Sequence, residues 1–442
     1  MSVKPENFTE YLLIEYRWVM VITLLLPMSL LWKIYSIARN YFVFKMNSAP
    51  KMHDKKVQDV QRQVIKAWLS GDRSTRLCTA RPSWMTMSFR RGLYKQTFTN
   101  IHTVKCEPLV TMGHLSRTLE PFGLALAVVP ELDQLTVGGL VMGTGVETSS
   151  HVFGLFQHIC VEYELVLADG SVVTCNLYYA VPWSYGTLGF LTSATIKVIP
   201  AKKYIRLQYQ PCTTLEALAR RFQEEATRKN PHQFVEALLF TKDSGVLMVG
   251  DMVEEVGRDG KLNRIGDWYA EWFFKQVERH LKRNRNATEY IPLRDYYHRH
   301  TRSFFWELQD IIKFGNHPIF RYLFGWLMPP EVSLLKLTQP EAVTKLYNRA
   351  HIIQDMLVPV QHLEKAVLLF HTEFQVSSTR RIESFVTANK GFQMLYADTY
   401  TTRDEFRQMF DHTLYDSVRD KLPYCKEAFP EIYGKVNREV RL

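Results

Sequence analysis

The segment that most constrains the fold is a glycine-rich stretch of small residues in the first half of the chain. Residues 130–158 read PELDQLTVGGLVMGTGVETSSHVFGLFQH. Glycine has no Cβ and reaches positive φ, so this spacing lets backbone N–H groups approach a phosphate closely. The GxG at Gly143 and Gly145 is not a Rossmann fingerprint, because the third glycine is missing and no βαβ unit surrounds it. The residues alone leave two interpretations open: a phosphate-binding segment, or a tight loop between core strands.

The composition excludes several classes of protein. Hydrophobic residues make up 46% and charged residues 23% of the 442, and neither glycine nor proline is enriched. A mainly disordered, collagenous or coiled-coil chain is therefore excluded, and the length predicts two or three domains. The six cysteines show no CxxC pair and no Cys/His ligand spacing, so we expect no disulfide framework, no metal site and a reducing compartment.

The chain carries a net charge of +10, which suits nucleic acid, an anionic membrane or a phosphorylated cofactor. Basic and acidic residues alternate along most of the sequence, which contains no zinc-finger, basic-zipper or RNA-binding signature. We therefore expect no nucleic-acid partner.

An uncharged run near the N-terminus predicts a membrane anchor. Residues 18–32 read WVMVITLLLPMSLLW, which is shorter than the roughly 20 residues of a usual span. Apolar flanks through which Glu15 and Lys33 could snorkel extend it, and Pro27 is tolerated in membrane helices. We expect a transmembrane helix within residues 1–45; a buried helix of a soluble domain is the alternative.

The charges on either side of this run predict its orientation. Two bases, Lys4 and Arg17, precede it among three acidic residues. Six bases follow it with only Asp54 among them: Lys33, Arg39, Lys45, Lys51, Lys55 and Lys56. By the positive-inside rule, the bulk of the chain lies in the cytosol behind a single crossing.

Hydrophobic periodicity predicts an α+β protein. Amphipathic helices are predicted at 54–69, 213–228 and 267–282. Asp169-Gly170 predicts the turn of a β-hairpin. The predicted strands are 84–89, 104–112, 163–168, 171–175 and 192–198.

The glycine-rich segment resembles the FAD pyrophosphate-binding segment of the vanillyl-alcohol-oxidase flavoprotein family, and within that family the likeness is greatest to members that reduce sterols. The likeness extends over nearly the whole chain. It is carried by EPLVTMG at 107–113, ELVLADGS at 164–171, YAVPWSYGTLGFL at 179–191, YIPLRDYYHRHTRS at 290–303, NHPIFRYLFGWLMPP at 316–330 and GFQMLYAD at 391–398.

The resemblance implies a particular domain organisation. We expect an FAD-binding domain of two α+β subdomains at 46–205 and an α/β substrate or cap domain at 206–385. Residues 1–45 would be the membrane anchor, and residues 386–442 would return to the flavin site.

The resemblance also implies FAD, bound noncovalently, and NADPH as the reductant. His151 follows the glycine segment, but no covalent flavin bond is assigned to it. The family's cofactor-binding positions fall on Thr136, Val137, Gly138, Gly139, Met142, Gly143, Thr144, Gly145, Thr148 and Ser149, and in a second turn on Gly186, Thr187 and Gly189.

The activity implied by the resemblance is NADPH-driven reduction of the double bond between carbons 24 and 25 in the side chain of a sterol such as desmosterol, at the endoplasmic reticulum. The implied partners are the sterol, the membrane and other enzymes of sterol biosynthesis. Two alternatives stay open: a flavin oxidase of the same fold acting on an alcohol, and a poorly active or non-catalytic flavin-fold protein.

An isolated alkene has no carbonyl to polarise it, so its reduction needs a proton donor in a dry pocket. The preferred candidate is Tyr396, followed by Asp398 and His300, with His298 and Glu307 as further candidates. Each has an ordinary structural explanation, as a core aromatic, a salt-bridged histidine or an exposed helix residue. A second set, Arg294, Arg299 and Arg302, could meet an NADPH phosphate, a lipid head group or only solvent.

The aromatic stretch 268–274 continues into a basic amphipathic pattern and could form an interfacial membrane helix. The stretch 304–328 is richer still in aromatic residues. Burial in the core of the cap domain is the alternative for both.

Three places look shorter than the family pattern: after Asn100, after Cys175, and between Phe374 and Ile382. The first flavin loop, ARPSW at 80–84, also lacks glycine. Loss of a central strand leaves buried backbone groups unpaired, at about 1 to 3 kcal/mol each. We therefore expect weaker activity than that of a full-length relative.

Overall fold

The computed structural model describes residues 8–47, 51–80, 85, 99–101, 107–174, 179–337, 343, 354–373 and 379–438. Helices and sheets alternate through these residues without a repeating βαβ pattern. The α+β class predicted from the sequence is confirmed.

The N-terminal segment is almost continuously helical. It comprises α1 (Phe8–Glu15), α2 (Arg17–Met20), a π-helical turn (Val21–Leu25) and α3 (Leu26–Asn47). Within the part of the chain that the structure describes, one helix, Arg17–Met46, is long and apolar enough to cross a membrane by length and composition. One face of it is packed on the rest of the protein, since Val21, Leu25 and Leu26 are almost completely buried.

The predicted amphipathic helix at 54–69 is confirmed. It forms α4 (His53–Val64) and a π-helical turn (Ile65–Leu69). Val57, Val60, Val64 and Trp68 are buried at helical spacing, whereas Ile65 keeps 40% of its surface exposed.

The glycine segment lies among short strands and helices. These are β1 (Leu77–Thr79), β2 (Thr99–Ile101), α5 (Met112–Leu119), β3 (Leu124–Leu126), α6 (Val137–Gly143), α7 (Ser150–Phe153), β4 (Cys160–Val166), β5 (Val172–Thr174), β6 (Phe190–Ile196) and β7 (Val198–Pro200). Three small sheets result: parallel β1–β2, antiparallel β3–β7, and antiparallel β5–β4–β6.

The predicted hairpin is confirmed by the pairing of β4 with β5, in which Val166 faces Val172. Its turn has Gly170 at φ +82°, a conformation that glycine reaches without a steric cost. The strand predicted at 104–112 is wrong in its described part. There, a 3₁₀ turn (Glu107–Leu109) leads into α5, whose first turn is capped because Thr111 Oγ1 accepts a hydrogen bond from His114 N at 3.2 Å.

A larger sheet occupies the second part of the chain. Its strands are β8 (Tyr204–Cys212), β9 (Phe234–Leu239), β10 (Gly245–Val253), β11 (Lys261–Leu262) and β12 (Ala287–Pro292). Their order is β11–β12–β8–β10–β9, antiparallel except for β11–β12.

Helices cover both faces of this sheet. On one face, Leu247 and Val249 of β10 cluster with Leu218 of α8 (Leu215–Thr227). Alternate residues of β10 belong to the main core together with Val277 of α9 (Phe273–Arg283). Since side chains alternate along a strand, α8 and α9 lie on opposite faces.

The second half of the stretch 268–274 is buried in the protein, so the interpretation as an interfacial membrane helix is wrong for that half. The helix begins at Phe273, later than predicted, and Trp272, Phe273 and Phe274 are at most 2% exposed. Trp268 and Tyr269, by contrast, keep 44% and 39% of their surfaces exposed.

The remaining elements follow the larger sheet along the chain and include the C-terminal helices. They are α10 (Leu293–Tyr297), α11 (Glu307–Ile311), α12 (Pro318–Phe324), α13 (Val332–Leu337), β13 (Met356–Leu357), α14 (Leu363–Glu373), α15 (Thr379–Ala388), β14 (Phe392–Gln393), α16 (Arg403–Met409), α17 (Thr413–Lys421), α18 (Cys425–Ala428) and α19 (Ile432–Val436). The C-terminal helices share one core with α4, in which Trp68 and Val60 cluster with Phe406 and Phe429.

Candidate functional site

The glycine segment folds into α6 and a tight turn. Thr136 caps the helix, since its Oγ1 accepts a hydrogen bond from Gly139 N at 3.3 Å. A Cβ at Gly138 would lie 2.8 Å from Pro108, and one at Gly145 would lie 2.9 Å from Pro130. These two glycines are therefore needed for close packing within the protein itself.

Two further glycines of the segment, Gly139 and Gly143, are less crowded by the protein. A Cβ at Gly139 would meet only its own capping residue, at 3.1 Å, and one at Gly143 would touch the Tyr185 hydroxyl oxygen at 3.4 Å. Protein packing alone does not require glycine at these positions. Open space beside glycine backbone suits a closely approaching phosphate.

The turn after α6 contains a second feature that fits an anionic ligand. Thr144 is buried with φ +122°, an unusual conformation for a non-glycine residue. Its hydroxyl has no hydrogen-bond partner among the described residues. Thr148 N and Ser149 Oγ, by contrast, are bonded to Glu147 Oε1 and to the Ala127 carbonyl oxygen, each at 2.7 Å.

The second predicted cofactor turn packs directly against α6. Trp183 N donates to the Val141 carbonyl oxygen at 3.2 Å, and Tyr185 N donates to the Met142 carbonyl oxygen at 3.4 Å. Trp183, Tyr185 and Gly186 all have positive φ. The structure therefore brings the two predicted segments together.

Two members of the second turn are engaged in protein contacts. Thr187 is buried, and its hydroxyl lies 2.6 Å from the Ser184 carbonyl oxygen and 2.7 Å from the Tyr415 hydroxyl. A Cβ at Gly189 would meet the Val166 carbonyl oxygen at 2.8 Å. The C-terminal part reaches the same turn through Lys435, whose Nζ donates to the Tyr185 carbonyl oxygen at 2.7 Å.

Tyr396 lies beside these turns. Its hydroxyl is hydrogen-bonded to Asp355, and its charged form would be repelled by Asp355, Glu131 and Tyr185. Burial, followed by the negative charge of Asp355, raises the pKa of Tyr396 far above its ordinary value. Tyr396 therefore stays protonated at neutral pH.

Asp355 is a site residue that sequence reasoning missed. It immediately precedes β13, which pairs with β14 so that Leu357 faces Phe392. The pairing of β13 with β14 brings Asp355 close to Tyr396. Burial raises the pKa of Asp355, against the opposing effect of the hydrogen bond from Tyr396.

His300 is packed among protein side chains next to the Glu236 carboxylate. His300 is completely buried, stacks on Phe305 with ring centroids 4.3 Å apart, and lies 3.5 Å from Glu236. Burial lowers its pKa, so it is neutral at neutral pH. Asp398 is half-buried, and its charge acts on Tyr400.

Two of the three candidate arginines are committed to internal contacts. Arg299 binds Glu147 at 2.8 Å and Glu236 at 3.1 Å. Arg302 donates to the carbonyl oxygens of Asp267 and Trp268 at 2.7 and 2.6 Å. Neither of these two guanidinium groups is therefore available to bind an NADPH phosphate.

The remaining histidine and glutamate candidates also have ordinary roles. His298 lies 2.9 Å from both Ser116 Oγ and Asp133 Oδ1. Glu307 opens the short helix α11.

A pair of carboxyl groups was also missed. Glu131 shares a hydrogen bond with Glu147, and burial together with the charge of Glu147 raises the pKa of Glu131 well above its usual range. Oε2 of Glu147 is buried and has no donor among the described residues other than the neighbouring Glu131 carboxyl, which can donate only when it is protonated. Acidic residues are unexpected within a segment that binds phosphate, and their presence there could have identified this pair from the sequence.

Most residues at the expected shortenings and in the altered first loop lie outside the described residues, at 102–106, 175–178, 374–378 and 81–84.

Comparisons with known proteins agree with these features. An FAD binding domain family matches residues 85–176. The delta(24)-sterol reductase of Homo sapiens is 48% identical over 496 aligned positions, covering 98% of this chain and 95% of that protein. A delta(24)-sterol reductase homolog of Caenorhabditis elegans is 41% identical, covering 99% and 97%, and the Arabidopsis thaliana delta(24)-sterol reductase is 35% identical, covering 95% and 91%.

The alignment with the human protein also bears on the expected shortenings. It spans 496 positions, whereas this chain has 442 residues. At least 54 aligned positions therefore lack a residue of this chain. Internal residues are missing relative to that protein, as the sequence pattern predicted.

Proposed function

The chain belongs to the delta(24)-sterol reductase family, and we propose that it reduces the double bond between carbons 24 and 25 of a sterol side chain, as in desmosterol. The chain contains an FAD-binding domain, and NADPH is the proposed reductant. The observation that carries the proposal is the identity to delta(24)-sterol reductases over nearly the full length of both chains.

The residues of the glycine segment fit FAD. Gly139 and Gly143 are less crowded by the protein than Gly138 and Gly145, and the buried Thr144 hydroxyl lacks a protein partner among the described residues. We propose noncovalent binding through the two turns. The proposed contacts are Thr136, Val137, Gly138, Gly139, Met142, Gly143, Thr144, Gly145, Thr148, Ser149, Gly186, Thr187 and Gly189. The bound flavin would supply the hydride.

The protein must then supply a proton, because hydride addition alone would leave an unstabilised carbanion. Tyr396 is the proposed donor, because it lies near Tyr185 of the second turn and Glu131 of the glycine segment and stays protonated. Its raised pKa also makes it a weak acid, and its hydrogen bond with Asp355 holds the hydroxyl in place. Asp398 and His300 stay as alternatives, and His300 is the less favoured because it lies in the Glu236 network.

The proposed domain organisation follows the same resemblance. The boundaries are 1–45 for the anchor, 46–205 for the FAD-binding domain, 206–385 for the substrate domain and 386–442 for the returning segment. The contact from Lys435 to Tyr185 and the position of Tyr396 support the last of these.

We propose attachment to the endoplasmic reticulum membrane with the bulk of the chain in the cytosol. The apolar N-terminal helix supports membrane association, and the excess of basic residues after the uncharged run supports the cytosolic side. The proposed partners are the sterol, the membrane and other enzymes of sterol biosynthesis.

Anaerobic spectroscopy of the purified protein tests this function. NADPH should bleach the flavin absorbance, and desmosterol should restore it with formation of the saturated side chain. A flavin that is reduced by an alcohol and reoxidised only by oxygen would indicate the oxidase. Purified protein without flavin would indicate the non-catalytic alternative.

A further inference from the structure

The N-terminal helix contacts the protein body at three points, and its first half is packed most closely, with Val21, Leu25 and Leu26 buried. Near its start, the rings of Trp18 and Phe314 meet at 5.2 Å. In its middle, Ser29 Oγ accepts a hydrogen bond from Glu331 N at 2.9 Å. Near its end, the rings of Phe44 and His114 lie 6.1 Å apart.

These contacts are difficult to combine with a helix that crosses the bilayer. Trp18 and Phe44 are 26 residues apart, which corresponds to about 39 Å of helix at 1.5 Å per residue. The hydrocarbon core is only about 30 Å thick. A perpendicular helix would therefore draw the flank of the body, including Glu331 and Arg321, into the hydrocarbon.

The outer face of the same helix is apolar and exposed. Leu24, Leu31 and Ile37 keep 58%, 67% and 62% of their surfaces accessible. Further exposed apolar residues follow the same segment: Met28, Ile34, Tyr35, Tyr41, Phe42, Phe44 and Met46. Lys33, Arg39 and Lys45 are interspersed among them and are also exposed. The exposed apolar residues suit contact with lipid, and the interspersed bases suit head-group phosphates.

A second exposed apolar surface, the α12 patch, borders this helix. It consists of Ile319, Tyr322, Leu323 and Trp326, each between 52% and 65% exposed. The turn Gly325–Leu327 that carries Trp326 packs on α3. An exposed patch of this kind marks an interaction surface.

The patch is held rigidly. Tyr322 stacks on Tyr269 with ring centroids 5.6 Å apart and an angle of 7°. Arg321 Nη1 donates to the Tyr269 carbonyl oxygen at 2.6 Å. The apolar side chains of the patch are thus exposed on an ordered framework.

We infer that the N-terminal helix lies along the membrane plane with its outer face in one leaflet, and that the α12 patch inserts beside it. The occupant of this surface is the lipid bilayer, because the patch is continuous with the apolar helix and the interspersed bases suit head-group phosphates. This arrangement differs from the single crossing expected from the sequence. It rests on the packing of the helix and does not depend on the proposed activity.

The position of the N-terminus distinguishes the two arrangements. A glycosylation acceptor appended before Met1 of the full chain reaches the lumen only if the helix crosses. In microsomes, we expect that tag to stay unmodified and to be digested by added protease, as will a matched tag after Leu442. A secreted protein with the same tag serves as the positive control. Glycosylation of the N-terminal tag alone would overturn the in-plane arrangement.

Lipid quenching tests the patch itself. In vesicles of brominated phosphatidylcholine and phosphatidylserine, part of the tryptophan fluorescence of the full chain should be quenched, and Trp326→Phe should remove a measurable share of that quenching. Trp183→Phe, beside the glycine segment, is the matched control and should leave the amount of quenched fluorescence unchanged. Equal quenching in the wild type and Trp326→Phe would place the patch outside the bilayer and refute its insertion.

Discussion

Arg299 Nη2 donates a hydrogen bond to Glu147 Oε1 at 2.8 Å, and both side chains are about 1% exposed. The same guanidinium donates from Nε to Glu236 Oε2 at 3.1 Å. Glu147 lies within the glycine segment, whereas Glu236 lies in β9 of the larger sheet. One buried cation therefore ties the candidate flavin site to the sheet of the second half.

Arg299→Ala should strongly destabilise the protein, because two buried carboxylates would lose their counter-charge. Breaking a buried ion pair from one side costs about 3 to 5 kcal/mol. Arg403→Ala is the matched control, since its pair with Glu431 leaves the Arg403 side chain 57% exposed, and exposed pairs contribute about 0 to 1 kcal/mol. Equal losses in chemical denaturation would show that the Arg299 network carries no special stability.

The buried carboxyl group of Glu383 makes the free energy of unfolding depend on pH. Burial raises its pKa from 4.5 to about 7, against the opposing effect of the hydrogen bond from Tyr400 N. The folded state therefore holds this proton more tightly than the unfolded state. The contribution is complete below about pH 4.5 and is lost as the pH rises through about 7.

Replacement of Glu383 by Gln should remove this dependence. The free energy of unfolding of the wild type should fall by about 3 kcal/mol more than that of Glu383→Gln between these two pH values. Glu216→Gln, at an exposed position on α8, controls for general effects of charge. Parallel pH curves for the wild type and Glu383→Gln would contradict the assignment.

Gly143→Val should weaken FAD binding with little effect on folding. A Cβ there touches only the Tyr185 ring at ordinary distances, so the extra methyl groups enter the space left for the phosphate. Loss of one close phosphate contact predicts at least about a tenfold rise in the Kd for FAD. By comparison, Gly145→Ala should lower the melting temperature, because its Cβ lies about 3 Å from Pro130, Leu140 and Phe156. Acid precipitation should release the flavin from the wild type, as expected for noncovalent binding.

Tyr396→Phe should slow sterol reduction while leaving the reduction of FAD by NADPH intact. General acid catalysis contributes about a hundredfold or more, so rapid-mixing experiments should show normal bleaching and slow sterol-dependent recovery. Leu414→Ser, an exposed position on α17, is the control. An unchanged recovery rate in Tyr396→Phe would transfer the role to Asp398 or His300.

The missing internal segments predict impaired turnover. In a longer relative, the stretch between Phe374 and Ile382 would help to wall the sterol cavity, and its absence would admit water and remove apolar contacts. Insertion of the corresponding segment should raise turnover more than it raises FAD affinity. A chain that already turns over at the rate of a full-length relative would show that the segment is dispensable.

The elements predicted correctly are those specified by local signals. Asp169-Gly170 sets a turn by itself, and the apolar face of α4 repeats at helical spacing. The strand predicted at 104–112 was wrong because Thr111 caps a helix there, and a cap outweighs β-rich composition.

The candidate site was only partly predictable for a related reason. The glycine turns could be located because backbone approach requires particular residues in a short segment. Asp355 and Tyr396 are separated by 41 positions and meet through the pairing of β13 with β14. Arg299 likewise gains its role from two acidic residues distant in the sequence. No local sequence pattern predicts contacts between residues that are so far apart in the chain.

Val60 and Trp68 acquire their core partners late in protein synthesis. They cluster with Phe406 and Phe429, which follow Trp68 by more than 330 residues. At about 5 to 20 residues per second, the ribosome needs roughly 20 to 70 seconds to deliver them. During that interval the apolar face of α4 has emerged without its C-terminal cover, so chaperones or the adjacent bilayer must shelter it. The flavin-binding half of this protein is thus completed only when the last helices leave the ribosome.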